Sequence, residues 1–325
     1  MNTVRWHIPW HLPWHSPVAF VAATLACLWL MPPAAARTLA VGPAHLLKVP
    51  SQAALVAGDG DVVTIDPGTY ADCAIWRASH LTIEATGPGV VLTGRVCAES
   101  GIFIMAGSEI TVRGLTFAGA RGRFHTAAGV RGLGDNLTVE DSRFLDNENG
   151  ILAGGSPDSV LRVTGSEFRG NGSCAGACAH AIYAGRPIAL LDVEGCTFWD
   201  THVGHHVKSR ALSTLVIGNR IEDGPNGTSS YLIELPNGGN ALIENNDLWK
   251  GRHSDNPAVA ISIGVEGVSN PTGALIVQDN RLRSDLPSPV LFVRNSTREP
   301  VVMRRNAVVG NVVMLEGPGV VEPGQ

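Results

Sequence analysis

The sequence predicts an all-β protein built as a right-handed parallel β-helix, and three observations predict it. The first is a repeat. Val112, Val139, Val163, Val193, Val216, Ile243, Val277 and Met303 recur at spacings of 27, 24, 30, 23, 27, 34 and 26 residues. Two positions before them stand Ile110, Leu137, Leu161, Leu191, Thr214, Ala241, Leu275 and Val301, and five positions after stand Phe117, Phe144, Phe168, Phe198, Ile221, Leu248, Leu282 and Val308. Alternating apolar residues mark a strand, and their return at this interval marks one coil of a solenoid. The second is a polar turn three residues after the reference position: Ser142, Ser166, Cys196, Asn219, Asn246, Asn280 and Asn306. Ser and Asn tolerate tight turns and bond nearby backbone, so stacking them gives a polar ladder. The third is composition. With 38 Gly, 20 Pro and 6% aromatic residues, the chain is rich in turn formers and poor in what a helix bundle packs with.

The elements follow in order. Residues 1–36 read as a secretory signal peptide, with Arg5 their only charged side chain. An apolar run from Val18 to Met31 precedes Pro32-Pro33 and Ala34-Ala35-Ala36. That run is short for a bilayer span of about 20 residues, and it ends in a small-residue cleavage site. Cleavage after Ala36 and a secreted or periplasmic protein are expected, with no membrane segment afterwards. Residues 37–57 form a lead and a cap helix over Pro50–Ala57, with Ser51 as its N-cap. The β-helix runs over 58–317, and 318–325 is a tail. Each rung carries a second short strand, centred on Ile151, Ile182, Val207, Ile233, Ile261 and Val313. Cys73 and Cys97, about one coil apart, are expected to form a disulfide in an exported chain, while Cys174, Cys178 and Cys196 leave one thiol over.

Charge narrows the partners. Without Arg5 the chain has 23 basic and 29 acidic side chains, a balance of −6. Such a surface does not suggest nucleic acid, whereas a local basic cleft still recruits an acidic glycan. A monomer acting on polysaccharide is the expectation.

Within the repeat, Gly58-Asp-Gly-Asp-Val-Val-Thr-Ile-Asp-Pro-Gly-Thr-Tyr70 resembles the opening of pectin-lyase-like β-helix proteins, and the likeness runs over about residues 48–317. Val207-Lys208-Ser209, followed by Leu215-Val-Ile-Gly-Asn-Arg-Ile221, is similar to the Lys-Ser strand and Asn turn of alginate and dermatan lyases of polysaccharide lyase family 6. The resemblance implies β-elimination from a uronate, Lys208 as the base that removes the C5 proton, an arginine one rung later, and calcium on the carboxylate. The chain departs from that pattern at two places. Leu235 or Pro236 stands at the arginine position, and Thr201 and Val203 stand where calcium carboxylates belong. No cofactor is therefore expected.

The residues themselves place a site in the same region. If Val207 and Ser209 face inward, a period of two sends His206, Lys208 and Arg210 outward together. Tyr183 on the preceding rung and Glu234 on the following rung point the same way. Elimination needs a base, positive charge on the carboxylate and a proton donor for the leaving oxygen. Lys208 or His206 is the candidate base, Arg210 the carboxylate clamp and Tyr183 the acid. His180, His205, Asn237 and Arg252 are candidate substrate-binding residues on adjoining loops. The competing reading is a solvated face in which the basic residues only pair with Glu234. His202, His205 and His206, with Cys174, Cys178 and His180, have ligand-like spacing, but oxidised cysteines are the simpler expectation and no metal is assigned.

Two other classes remain. A glycan-binding or cell-surface scaffold would keep the fold without the chemistry. A glycoside hydrolase needs paired carboxylates; Glu234 with Glu266 is the available pair, while Glu140-Asp141 and Glu222-Asp223 are expected at solvated turns.

Overall fold

The computed structural model describes residues 36–185 and 188–322. The expected signal peptide lies outside the described residues except for Ala36. Three parallel sheets wind into a right-handed β-helix of about 11 turns. Among the described residues sheet I has twelve strands, and sheets II and III have ten each. One coil runs from a sheet I strand such as Val160–Thr164, through a polar turn, to Glu167–Arg169 in sheet II. It continues to Ile182–Ala184 in sheet III and returns to sheet I at Leu190–Glu194.

The register is that of the repeat. The eight reference residues from Val112 to Met303 are successive partners in sheet I. The set from Phe117 to Val308 pairs in the same way in sheet II. Phe117, Phe144, Phe168 and Phe198 stack inside with centroids 5.3, 4.8 and 4.7 Å apart. Each such pair adds about 0.5–1.5 kcal/mol to the burial of the rings. At the turn between sheets I and II, the Asn219, Asn246 and Asn280 side chains each accept from the preceding rung's backbone N–H, at 2.8, 2.9 and 3.0 Å. Their own amides donate to Val193, Val216 and Ile243 carbonyls at 3.0, 2.8 and 2.8 Å. The ladder thus satisfies backbone groups that the turn would leave orphaned.

Four sequence expectations change. The first strand, Thr38–Val41, already pairs with Val62–Ile65, so the solenoid begins before the helix rather than at residue 58, and its last strand, Gly319–Val321, extends past 317. The helix spans Pro50–Val56 with Val49 at its N-cap and no side-chain cap. Ser51 lies inside its first turn, because proline takes the opening position, and its backbone N–H donates to Asp72 at 2.7 Å. The sheet III strand expected at Val312–Met314 is present and runs longer, over Val312–Glu316, where the column of Ile261 and Val293 ends on Leu315. Asp223 is wholly buried and Glu222 nearly so, rather than solvated.

Cys73 and Cys97 are joined, with Cα atoms 5.5 Å apart, and Cys174 is joined to Cys178. Cys196 is a free thiol buried under the turn ladder, and burial pushes it up to about 12. At the amino-terminal end the Arg37 guanidinium bonds Asp61 at 2.6 and 3.2 Å and holds its carboxyl down to about 2, below the usual range.

Two measurements test this packing. Phe168→Ala, which opens a hole in the ring stack, is expected to cost about 3–5 kcal/mol in denaturant unfolding. Asp61 has a depressed native value, so its contribution is complete above pH ~4 and fades as pH falls towards 2. The gap in Tm between wild type and Asp61→Asn should therefore be constant from pH 7 to 5 and close below pH 4.

Candidate active site

Register alone builds the centre of the site. Along the outer face of sheet III, Arg131, Leu152, Tyr183, Lys208, Glu234, Ser262 and Arg294 are successive partners. Rungs stack about 4.8 Å apart, so neighbours in this column touch. Lys208 faces out because Val207 and Ser209 on either side are buried, Ser209 satisfying its hydroxyl on Thr214 at 2.6 Å.

Lys208 Nζ lies 2.8 Å from Glu234 Oε2 and 2.8 Å from Glu266 Oε1. Arg210 donates through Nε to the Tyr183 hydroxyl oxygen at 2.8 Å and through a terminal nitrogen to Asn237 Oδ1. Its other terminal nitrogen meets Glu266 Oε2 at 2.5 Å. One carboxylate, that of Glu266, therefore spans Lys208 and Arg210 with one oxygen on each.

Burial opposes the charges, yet partners outweigh it. The Glu234 carboxyl is held below its ordinary range despite burial, by His205 and Lys208. Glu266 is likewise held low by Lys208 and Arg210. For Arg210, desolvation is overcome by its bonds to Tyr183 and Glu266, which raise its value.

A second column supports the first. The rings of His180 and His205 stack at 4.6 Å, and Tyr231 continues the line at 5.1 Å. His180 Nδ1 accepts the His205 backbone N–H at 3.0 Å, and His205 Nδ1 accepts that of Tyr231 at 3.2 Å. Each ring thus presents its proton on Nε2, and His205 Nε2 lies 3.0 Å from Glu234. Burial lowers both values, most strongly for His180, which also feels the positive charge of Lys208 and Arg210. Of the two rings it is His205 that faces Glu234, and with Nδ1 accepting from Tyr231 it has no free lone pair for a base.

Of the residues expected at the site, Tyr183, Lys208, Arg210, Glu234, His180, His205 and Asn237 come together. His206 does not. Its ring is wholly buried, 2.7 Å from Thr201 and 3.1 Å from Asp223, edge-on to Phe198. It precedes the strand, so the alternation that sends Lys208 outward does not reach it. Arg252 is exposed on the turn after Asp247–Lys250 and makes no hydrogen bond or ion pair with the cluster among the described residues. Glu266, which the sequence offers as a partner for Glu234, is instead a direct contact of both cations. It sits on a loop that folds back across two rungs, and sequence periodicity carries no signal for that. Beside it, Asn270 donates to the Arg210 and Ala211 carbonyls at 3.2 and 3.0 Å.

Calcium does not fit this arrangement. The cluster's two carboxylates, Glu234 and Glu266, already face cationic nitrogens, which supply the positive charge a hard cation would bring. Among the described residues no group of three His, Cys, Asp or Glu is placed to hold a metal.

Two solved structures share this architecture. Alginate lyase from Paenibacillus sp. str. FPU-7 superposes with a TM-score of 0.57 at 18% identity, over 87% of this chain and 99% of that one. Pectate lyase Pel9A gives a TM-score of 0.53 at 14% identity, over 86% of this chain and 78% of that one. What they share with this chain is the parallel β-helix fold. No protein-family model and no curated protein matches the chain. At these identities the likeness establishes the fold, and the chemistry must be argued from the cluster.

Glu234 and Lys208 are both buried, so breaking their pair is expensive. Lys208→Ala is expected to destabilise by about 3–5 kcal/mol, and Lys208→Met combined with Glu234→Gln by much less than the single change. Chemical denaturation of the two variants reads the difference.

Proposed function

We propose that this protein is an exported, polysaccharide lyase-like enzyme that cleaves an acidic, uronate-containing glycan by β-elimination. One observation carries the reading: Lys208 and Arg210 together hold a carboxylate, and Arg210 also bonds the hydroxyl of Tyr183. A uronate whose carboxylate lay on the same two cations would place its ring beside that phenol. The two neighbours superposed above are, by name, an alginate lyase and a pectate lyase.

The chemistry then divides among the residues. Lys208 and Arg210 neutralise the uronate carboxylate and the further negative charge that develops on it as the C5 proton leaves. Tyr183 carries the proton transfer in this reading: as the phenolate, beside the Arg210 Nε–H at 2.8 Å, its oxygen takes the C5 proton and becomes the phenol, the C4–oxygen bond breaks, and the phenol passes that proton to the departing oxygen. The products are a C4–C5 unsaturated sugar and a new chain end, with no water consumed. Lys208, between two carboxylates at 2.8 Å, is arranged as a standing positive charge rather than as the base. Arg210 lies on the same strand end as Lys208 and acts from there, in place of the arginine that family 6 lyases carry one rung later. Glycoside hydrolysis fits less well, because it requires one carboxyl held protonated, whereas Glu234 and Glu266 are both held below the ordinary range.

Export has its own support. The backbone nitrogen of Arg37 lies 3.0 Å from the buried Asp61 carboxylate. Cleavage after Ala36 would turn that amide into an ammonium and pair it there. Amino-terminal sequencing of protein recovered from outside the cytoplasm is expected to begin at Arg37.

The activity test is the ultraviolet absorbance of unsaturated product from alginate, pectate and glycosaminoglycans, with and without calcium. Wild type is expected to generate it without added calcium on one of these polymers. Tyr183→Phe should lower kcat by about 10²–10⁴ with KM little changed, and Arg210→Ala should raise KM as well as lower kcat. Binding of an acidic polymer with no product from any of them would leave the protein a non-catalytic glycan-binding β-helix.

A further inference from the structure

We propose that Glu266 is the resident occupant of an anion seat formed by Lys208 and Arg210, and that an acidic ligand binds by exchanging its own carboxylate for that of Glu266. This rests on the proposed uronate site for the identity of the ligand, while the seat itself stands on the geometry.

The carboxylate in question does not belong to the column. The strands supply Tyr183, Lys208, Glu234 and Ser262 in succession, so Glu234 is the acid that the register places on Lys208. Glu266 comes from 58 residues beyond Lys208, on the loop after Val259–Ile263. Its two oxygens are shared out, Oε1 to Lys208 and Oε2 to Arg210, which is how a ligand carboxylate meets two cationic groups.

The two acids differ in exposure. The Glu234 side chain is 3% exposed, enclosed by His205 and Lys208. That of Glu266 is 41% exposed, on the solvent side of the same ammonium. Solvent-exposed pairs are weak, so releasing Glu266 costs little, whereas releasing Glu234 would strand a buried charge.

The backbone around Glu266 is fixed, which confines the exchange to its side chain. The Glu266 N–H donates to the Pro236 carbonyl at 2.9 Å, and the N–H groups of Ser269 and Asn270 donate to the Asn237 carbonyl, both at 3.1 Å. The Asn237 side-chain amide returns a bond to the Gly267 carbonyl at 3.1 Å. With the side chain turned away, the seat keeps its shape. Arg210 remains on Tyr183 and Asn237, and Lys208 remains on Glu234. Glu266 is thus a specificity-determining residue. A neutral sugar cannot replace the charge it removes, while a carboxylate or a sulfate ester can.

The test is isothermal titration calorimetry at low ionic strength, on wild type, Glu266→Ala and Glu266→Gln. The titrants are acetate, sulfate, glucose and an oligogalacturonate. Glu266→Ala is expected to gain a saturable acetate site that wild type lacks and to bind the oligogalacturonate about five- to tenfold more tightly, with glucose inert throughout. Glu266→Gln, which keeps the side chain's volume and loop contacts, is expected to bind the oligogalacturonate more tightly as well, and it carries the test if the alanine variant misfolds. A sulfate site in place of the acetate site would keep the seat and change the ligand to a sulfated glycan. Unchanged or weaker oligogalacturonate binding in both variants, with no anion site gained, would overturn the proposal. The lyase reading fails separately: an acetate site gained in Glu266→Ala, with no unsaturated product from any polymer, removes the elimination and keeps the seat.

Discussion

In-register stacking of parallel rungs is the constraint on which the rest of the molecule depends. Asn219, Asn246 and Asn280 each tie three rungs together, accepting a backbone N–H and bonding a carbonyl of the rung before, and donating to the Asn side chain of the rung after. The stacked phenylalanines do the same from inside. Once register is held at these two corners, the neighbours of any outward residue on a strand are decided. Tyr183, Lys208 and Glu234 meet because they occupy one position on successive turns, and no loop had to be shaped to bring them together.

Loops then add what register cannot. Arg210 lies just past its strand and reaches sideways to Tyr183 and Asn237, and Glu266 arrives from a later coil. The cluster's charges are two cations against two carboxylates, with one carboxylate buried and the other at the surface. That asymmetry is what suits the site to an acidic ligand. An incoming carboxylate that replaces Glu266 leaves the local charge unchanged, so no uncompensated charge is buried during binding. The neutral His205, stacked on His180, lies beside Glu234 without adding charge.

Much of this was legible in the sequence because periodicity is a direct consequence of the fold. The reference residues from Val112 to Met303, the set from Phe117 to Val308 and the polar turn residues all pair as their spacing implies. Tyr183, Lys208 and Glu234 follow from the same counting. Counting fails where a strand ends. His206 was extrapolated one residue beyond Val207–Ser209, and there the chain turns its ring inward to Asp223. The sheet III strand Val290–Asn295, on the coil between Val259–Ile263 and Val312–Glu316, lies outside the set that the counting picks out. The contacts of Glu266 and Asn270 had no sequence signal, since they depend on a loop folding back over an earlier rung. Arg252 is a loop residue, whose position periodicity does not fix, and it is exposed without a bond to the cluster among the described residues.

The most direct test of the account is the structure of the wild-type protein with a bound oligouronate. A sugar carboxylate is expected on Lys208 Nζ and the Arg210 guanidinium, with the Glu266 side chain turned to solvent, Glu234 unmoved, and Tyr183 beside C5 of that sugar. A ligand bound elsewhere on the solenoid while Glu266 still spans Lys208 and Arg210 would contradict it.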